Sequence, residues 1–232
     1  MIKKTILFLL FIGFSVSYSQ KSKTTFGIQY KPILPVKLLN VSDLVIDENG
    51  FDATISPILG HNFGGLIRWE FTEKLSMESG LSYIRRNFRM DATLDDTLKG
   101  SLEYGVVNYE IPFQALFYVR LGKRYFMNVA SGFSMNFRAS DVGSSTENRN
   151  FSQITLVQHI NLAYIANIGF EYRTKESGYF YLGASLTTLL RPLGRIELRS
   201  LDDNNFKNVF GELSGNYISV DLRYFFNDKK EK

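Results

Sequence analysis

The chain has 232 residues, enough for one large domain or two small ones, with 44% hydrophobic and 22% charged residues and no cysteine. The missing thiols exclude a disulfide framework, a thiolate metal site and a lipid-modified N-terminal cysteine. The formal net charge is +4, and two of the lysines behind it lie in a leader-like N-terminus, so a processed chain carries only +2 and its charge gives no argument for nucleic acid.

The first twenty residues read MIKKTILFLLFIGFSVSYSQ. Lys3 and Lys4 precede an apolar run from Thr5 to Val16, and Ser17 and Ser19 follow at the spacing of a cleavage site. This predicts a secretory signal peptide over residues 1–19, cut after Ser19 and too short to span a membrane. Beyond it no run of eighteen apolar residues occurs. Residues 20–232 therefore form a domain that is soluble or that enters a membrane without helices.

An aromatic share of 15%, with 20 Phe and 13 Tyr against a single Trp, favours strands. Strict alternation of apolar and polar residues then predicts eight of them, over residues 25–33, 61–71, 75–88, 107–121, 125–138, 156–172, 179–191 and 217–226. In the fourth, Val107, Tyr109, Ile111, Phe113, Ala115, Phe117, Val119 and Leu121 share one face, against a mostly polar face with Asn108, Glu110, Gln114 and Arg120. Three connections are short, around residues 72–74, 122–124 and 174–178. Four are long, over residues 34–60, 90–103, 139–152 and 192–215, and their Asp, Asn, Ser and Gly clusters read as loops. Short turns at one end and long loops at the other are the layout of an eight-stranded antiparallel up-and-down transmembrane β-barrel of the outer membrane, with both termini on the periplasmic side.

A soluble barrel also alternates, but it turns its apolar face inward around a lipid-sized ligand. Strand length, aromatics gathered at strand ends and a charged second face favour the membrane version. The expected interfacial girdle is Trp69, Phe71, Tyr125, Tyr172, Phe180, Tyr224 and Phe226, all at the short-turn end. The expected interior polar network is Arg68, Glu70, Glu78, Arg86, Glu110, Arg120, His159, Glu171, Asp221 and Arg223, with Arg138, Arg173 and Arg191 as further cations to pair buried carboxylates. Pro112 cannot donate to a ladder, so a bulge or a local break is expected there.

The run YEIPFQALFYV, Tyr109–Val119, opens a strand with Glu-Ile-Pro after a long loop, and YISVDLRYFF closes the barrel pattern with aromatics. Together they resemble the PorT-like outer-membrane β-barrel domain family, whose fourth strand commonly carries an L-E-I-P-L-type run. The resemblance spans essentially the whole processed chain. It implies the barrel fold and the outer membrane; a role in protein secretion belongs to one member, and no residue here carries it over.

For chemistry, His159 on the inward set and His61 on the outward set are the two histidines, and neither has a Ser two residues on along its strand face. His61 reads as a girdle residue near the outer interface. The segment DENGFD, Asp47–Asp52, has Phe51 where a calcium loop needs its fifth-position oxygen. No catalytic residue, metal site or cofactor is assigned. The expected partners are outer-membrane lipid and proteins met through the loops or periplasmic turns, without nucleic acid. Three alternatives stay open at this point: a lipid-modifying enzyme, a narrow channel and a soluble lipocalin-like lipid carrier.

Overall fold

A computed structural model describes residues 23–38, 41–48, 50–95, 98–147, 150–200 and 207–227. The predicted leader over residues 1–19 lies outside them. Thirteen strands and no helix occur among the described residues. In chain order they are β1 (Lys23–Leu34), β2 (Leu44–Glu48), β3 (Phe51–Glu70), β4 (Leu75–Leu94), β5 (Leu98–Arg120), β6 (Tyr125–Phe137), β7 (Val142–Ser145), β8 (Phe151–Val157), β9 (Ile160–Arg173), β10 (Tyr179–Leu189), β11 (Gly194–Ser200), β12 (Asn208–Leu213) and β13 (Tyr217–Phe225).

Eight of these close a ring. Each pairs antiparallel with its neighbours in the order β1, β3, β4, β5, β6, β9, β10, β13, and β13 returns to β1 from Gly27↔Phe225 to Leu34↔Ile218. These are the eight predicted strands. Their short connections are tight: the amide of Leu121 donates to the carbonyl of Tyr125 at 2.9 Å, and that of Thr174 to Gly178 at 3.0 Å. The Thr72 hydroxyl accepts from the amide of Leu75 at 2.9 Å and so fixes the β3–β4 turn.

The four long connections are not plain loops. β3, β4 and β5 run on beyond the ring, and β2 adds to the edge of β3 from Leu44↔Ile55 to Glu48↔Phe51. A second sheet in the order β12-β11-β8-β7 faces this extension. The two sheets meet at both edges, where β12 packs on β2 and β7 on β5. A glycine sits at each seam: Gly100 lies against the Phe151 ring, and Gly211 against the side chains of Leu44 and Ile46. The predicted strand over residues 156–172 is accordingly split at Gln158 and His159, where β8 leaves for the second sheet and β9 enters the ring. In DENGFD, Asp47 and Glu48 pair with Asp52 and Phe51 across the β2–β3 hairpin, with Gly50 at φ 73°.

The two parts have opposite interiors. In the ring, Phe63, Leu81, Phe113, Phe133, Phe170, Leu182 and Leu222 are exposed on the outside, while Asn62, Arg68, Glu78, Asn128, Glu171 and Asp221 are buried inside. In the extension, called the crown below, Phe51, Met90, Leu94, Tyr104, Phe151, Ile196, Leu198 and Val209 form one apolar core. Asp91, Lys99, Ser101 and Glu103 face outward there.

The expected disturbance at Pro112 is a break without a bulge. The β4–β5 ladder lapses between Ser79↔Phe113 and Ser82↔Glu110 with register kept, while Pro112 stays paired to Ser134 on β6. The register shift falls instead on β3, between Ile58 and His61. The Asn87 amide donates to the Leu59 carbonyl there at 2.8 Å and satisfies a group the bulge removes from the ladder.

Candidate functional site

Alternation aims every second ring side chain at the lumen, and eight strands leave room only for those side chains. What fills the lower half is a chain of charges. The Nε of Arg68 donates to Glu78 at 2.7 Å, and its Nη1 to Glu171 at 2.6 Å. Arg223 donates from Nη1 to the second oxygen of Glu78 and from Nη2 to Asp221, both at 2.6 Å. Arg173 donates to Glu171 at 2.6 Å, and the Lys31 ammonium lies 3.4 Å from Asp221. The amide of Asn167 and the hydroxyls of Ser185 and Ser219 complete the Asp221 carboxylate, at 3.0, 2.6 and 3.0 Å. The Arg68 guanidinium also lies over the Phe225 ring at 3.7 Å. Charges this deep are tolerable only when paired and hydrogen-bonded on nearly every side.

The short-turn end opens into a polar recess of about 780 Å³ bordered by Lys23, Glu70, Lys74, Arg120 and Arg173. The opposite end of the lumen is closed by the crown. Leu189, Leu193 and Leu213 belong to its apolar core and sit directly above the polar interior.

The structure places Arg68, Glu78, Arg86, Glu110, Glu171, Asp221 and Arg223 inside the ring, buried. Glu70 is half-buried at the short-turn rim. Two residues of the expected network lie elsewhere. Arg120 is exposed at the last residue of β5, where its Nε donates to the Gly122 carbonyl at 3.1 Å, because the wall ends before its side chain reaches the lumen. His159 is exposed in the break between β8 and β9, with Nδ1 3.2 Å from the Arg138 carbonyl. The strand parity that aimed it inward does not survive that break. Arg191, beyond the end of β10, is exposed as well. Lys31 was not among the expected network, although its parity with Gly27 and Gln29 on β1 was the available signal.

The outward aromatics at the short-turn end meet in pairs. Tyr125 and Tyr172 have ring centroids 4.9 Å apart, Phe180 and Tyr224 5.1 Å, and Tyr224 and Phe226 5.2 Å. Phe71 is exposed, and Trp69 is half-buried on the same outward set as Ile67. At the other edge of the apolar belt, His61 stacks on Tyr30 and the Tyr30 hydroxyl lies 2.7 Å from its Nδ1.

No family model matches this sequence, and no curated protein matches it. Among solved structures, the chain is similar to the outer membrane protein OprG from Pseudomonas aeruginosa, with a TM-score of 0.55 and 15% identity over 89% of this chain and 98% of that one. The outer membrane protease OmpT from Escherichia coli aligns at a TM-score of 0.40 and 9% identity, covering 90% and 97% of the two chains. An outer membrane channel from Pseudomonas putida F1 aligns at 0.26 and 12%, covering 90% and 96%. The last two likenesses are too distant in shape to inform this chain. At such identities the first one speaks to fold alone, and with the closed pairing ring and the outward apolar belt it gives the conclusion that this chain has the fold of an eight-stranded outer-membrane β-barrel.

Proposed function

We propose that the chain is a non-enzymatic outer-membrane protein whose barrel anchors the crown at the cell surface, with binding or assembly carried out by the crown or the periplasmic rim. One observation carries this reading. The lumen is crossed by the paired chain from Arg173 through Glu171, Arg68, Glu78 and Arg223 to Asp221, and the apolar core of the crown lies over it. A lumen filled in this way supports a plug rather than a pore, and a charged lining gives no apolar chamber for a carried lipid. Neither histidine supports hydrolysis: among the described residues His61 meets the Tyr30 hydroxyl and His159 the Arg138 backbone carbonyl, both on the outer side of the wall. The Glu-Ile-Pro strand and the terminal strand add the PorT-like resemblance to this reading. Export through a leader cut after Ser19 belongs to it too.

The test is fractionation of cells expressing the chain, gel mobility with and without boiling, and planar-bilayer recording of the purified protein. Outer-membrane recovery with Gln20 as the first residue, a heat-dependent mobility shift and no single-channel steps are expected. Steady conductance would overturn the plug, and recovery in the soluble periplasm would overturn the location.

A further inference from the structure

Where the polar lumen meets the apolar core, two guanidiniums are buried together. Arg86 on β4 and Arg138 just past β6 are each 4% exposed. Arg86 donates from Nη1 to the Gly215 carbonyl, and Arg138 from Nη1 to the Gln158 carbonyl at 2.8 Å. The Nε and Nη2 groups of both find no acceptor among the described residues. Arg86 lies opposite Val106 and Arg138 follows Phe137, which lies opposite Tyr109, so the two buried side chains flank β5 on its lumen face two rungs apart, and Glu110 on β5 is the carboxylate near Arg86. Glu110 also faces Lys31, and it accepts from the Ser134 hydroxyl at 3.0 Å. Tyr217 lies near both guanidiniums, its ring centroid 5.7 Å from that of Arg86. In the lower lumen, by contrast, Arg68, Arg173 and Arg223 each touch a carboxylate.

We infer that Arg86 and Arg138 form a binding site for one small oxyanion of the phosphate class. Burying two like charges with a single carboxylate, Glu110 beside Arg86, is costly, and a buried N–H without an acceptor adds to the cost. Water supplies acceptors but no charge. Chloride supplies charge but cannot meet a guanidinium fork with two oxygens. A phosphate group supplies both, in the bidentate geometry that arginine matches. Leu189 and Leu193 close the site toward the crown, which keeps the interaction strong by excluding solvent. Beside Arg138 the wall is held by the Arg138 amide donating to the His159 carbonyl at 2.9 Å, with Gln158 and His159 exposed on its outer side. The oxyanion is either a free phosphate or the phosphomonoester headgroup of a lipid, and the two sources are separated by experiment.

The test is heat unfolding of the purified protein in phosphate-free non-ionic detergent, followed by Trp69 fluorescence at constant ionic strength. Inorganic phosphate is expected to raise the unfolding temperature saturably by roughly 3 °C, and sodium chloride to leave it unchanged. Arg86→Met and Arg138→Met each lose that response, and Arg86→Lys keeps a weakened one. A rise with inorganic phosphate identifies the free ion as a ligand. A rise seen only with vesicles containing phosphatidic acid identifies the headgroup. No rise with either, or a rise that both Met variants retain, overturns the site. Should the variants fail to fold, the parent titration decides alone: a phosphate effect that chloride reproduces overturns it.

Discussion

Arg68 shows how single side chains set the character of the lumen. It is fully buried, holds Glu78 and Glu171 at 2.7 and 2.6 Å, and is itself held from outside by the contacts those carboxylates make to Arg223 and Arg173. The chain links β9, β3, β4 and β13, strands that lie on different sides of the ring. Arg68→Leu leaves each carboxylate one cation instead of two, so the change is expected to cost about 3–5 kcal/mol. Urea unfolding in lipid vesicles, read by the single tryptophan, measures it. Adding Glu78→Leu to Arg68→Leu removes one of the stranded charges, and a coupling of at least about 1 kcal/mol is expected between the two. If Arg68→Leu unfolds at the parent's urea midpoint, the ion chain does not hold the ring together and the plug loses its support. Parity along each strand was enough to find Arg68, Glu78, Glu171, Asp221 and Arg223 from sequence, because each stands at least two residues inside a regular strand. Arg120, His159 and Arg191 were misplaced because each stands at or past a strand end, where alternation no longer fixes direction.

At the scale of strands, the ring was legible and the crown was not, and β4 and β5 show why. Their alternation never stops, but its meaning inverts. Along β5 the inward set passes from Leu102, Tyr104 and Val106 to Asn108 and Glu110, while the outward set passes from Ser101 and Glu103 to Val107 and Tyr109. A reading that follows one apolar face sees the pattern end at residue 107, although the strand begins at Leu98. The crown strands β7, β8, β11 and β12 are short, and although β7–β8 and β11–β12 are neighbours in the chain, the β8–β11 pairing that joins them is distant, so local alternation does not announce the sheet. On β3 the inversion also changes parity: Phe51, Ala53 and Ile55 face inward, and so do Gly60 and Asn62, five residues and more beyond Ile55. Only an extra residue reconciles the two sets, and the bulge between Ile58 and His61 supplies it. Deleting the exposed Leu59 removes the surplus and leaves both sets facing inward, since β1 pairs with β3 only as far as Gly60. The deletion is expected to yield a folded, heat-modifiable barrel, with a loss of about 1 kcal/mol for the Asn87 bond to the Leu59 carbonyl. Deleting Leu66 in the regular part of the same strand flips one whole set outward and is expected to abolish folding. Equal behaviour of the two deletions in a gel-shift assay would mean that the bulge does not set the register.

The whole molecule stacks two β-structures with opposite interiors, and they answer to different solvents. The ring turns its apolar side out and needs lipid around it, whereas the crown turns its apolar side in and is stable against water by ordinary burial. Because β3, β4 and β5 belong to both, the crown cannot leave the ring, yet its core is separate from the lumen's ion chain. Phe151 tests whether the two parts open separately. It is fully buried, meets Phe51 edge to face with centroids 5.6 Å apart, and lies against Gly100 at the seam between β5 and the second sheet. Phe151→Ala is expected to destabilise the crown core by about 3–5 kcal/mol. In vesicles with the crown outside, trypsin should then cut at Arg195 and Arg199 on β11 roughly tenfold faster or more than in the parent, because local opening exposes that strand. Arg68 and Arg223, buried in the lumen, should stay uncut, and the protein should keep its heat-dependent mobility shift. Phe113→Ala, on the outward belt of the ring, removes a ring of the same size without touching the crown core and should leave the cleavage rate at Arg195 and Arg199 unchanged. Loss of the mobility shift in Phe151→Ala together with the fast cleavage would show that crown and ring unfold as one unit. The crown would then be part of what closes the barrel, and a surface change in it would be felt at the level of the lumen.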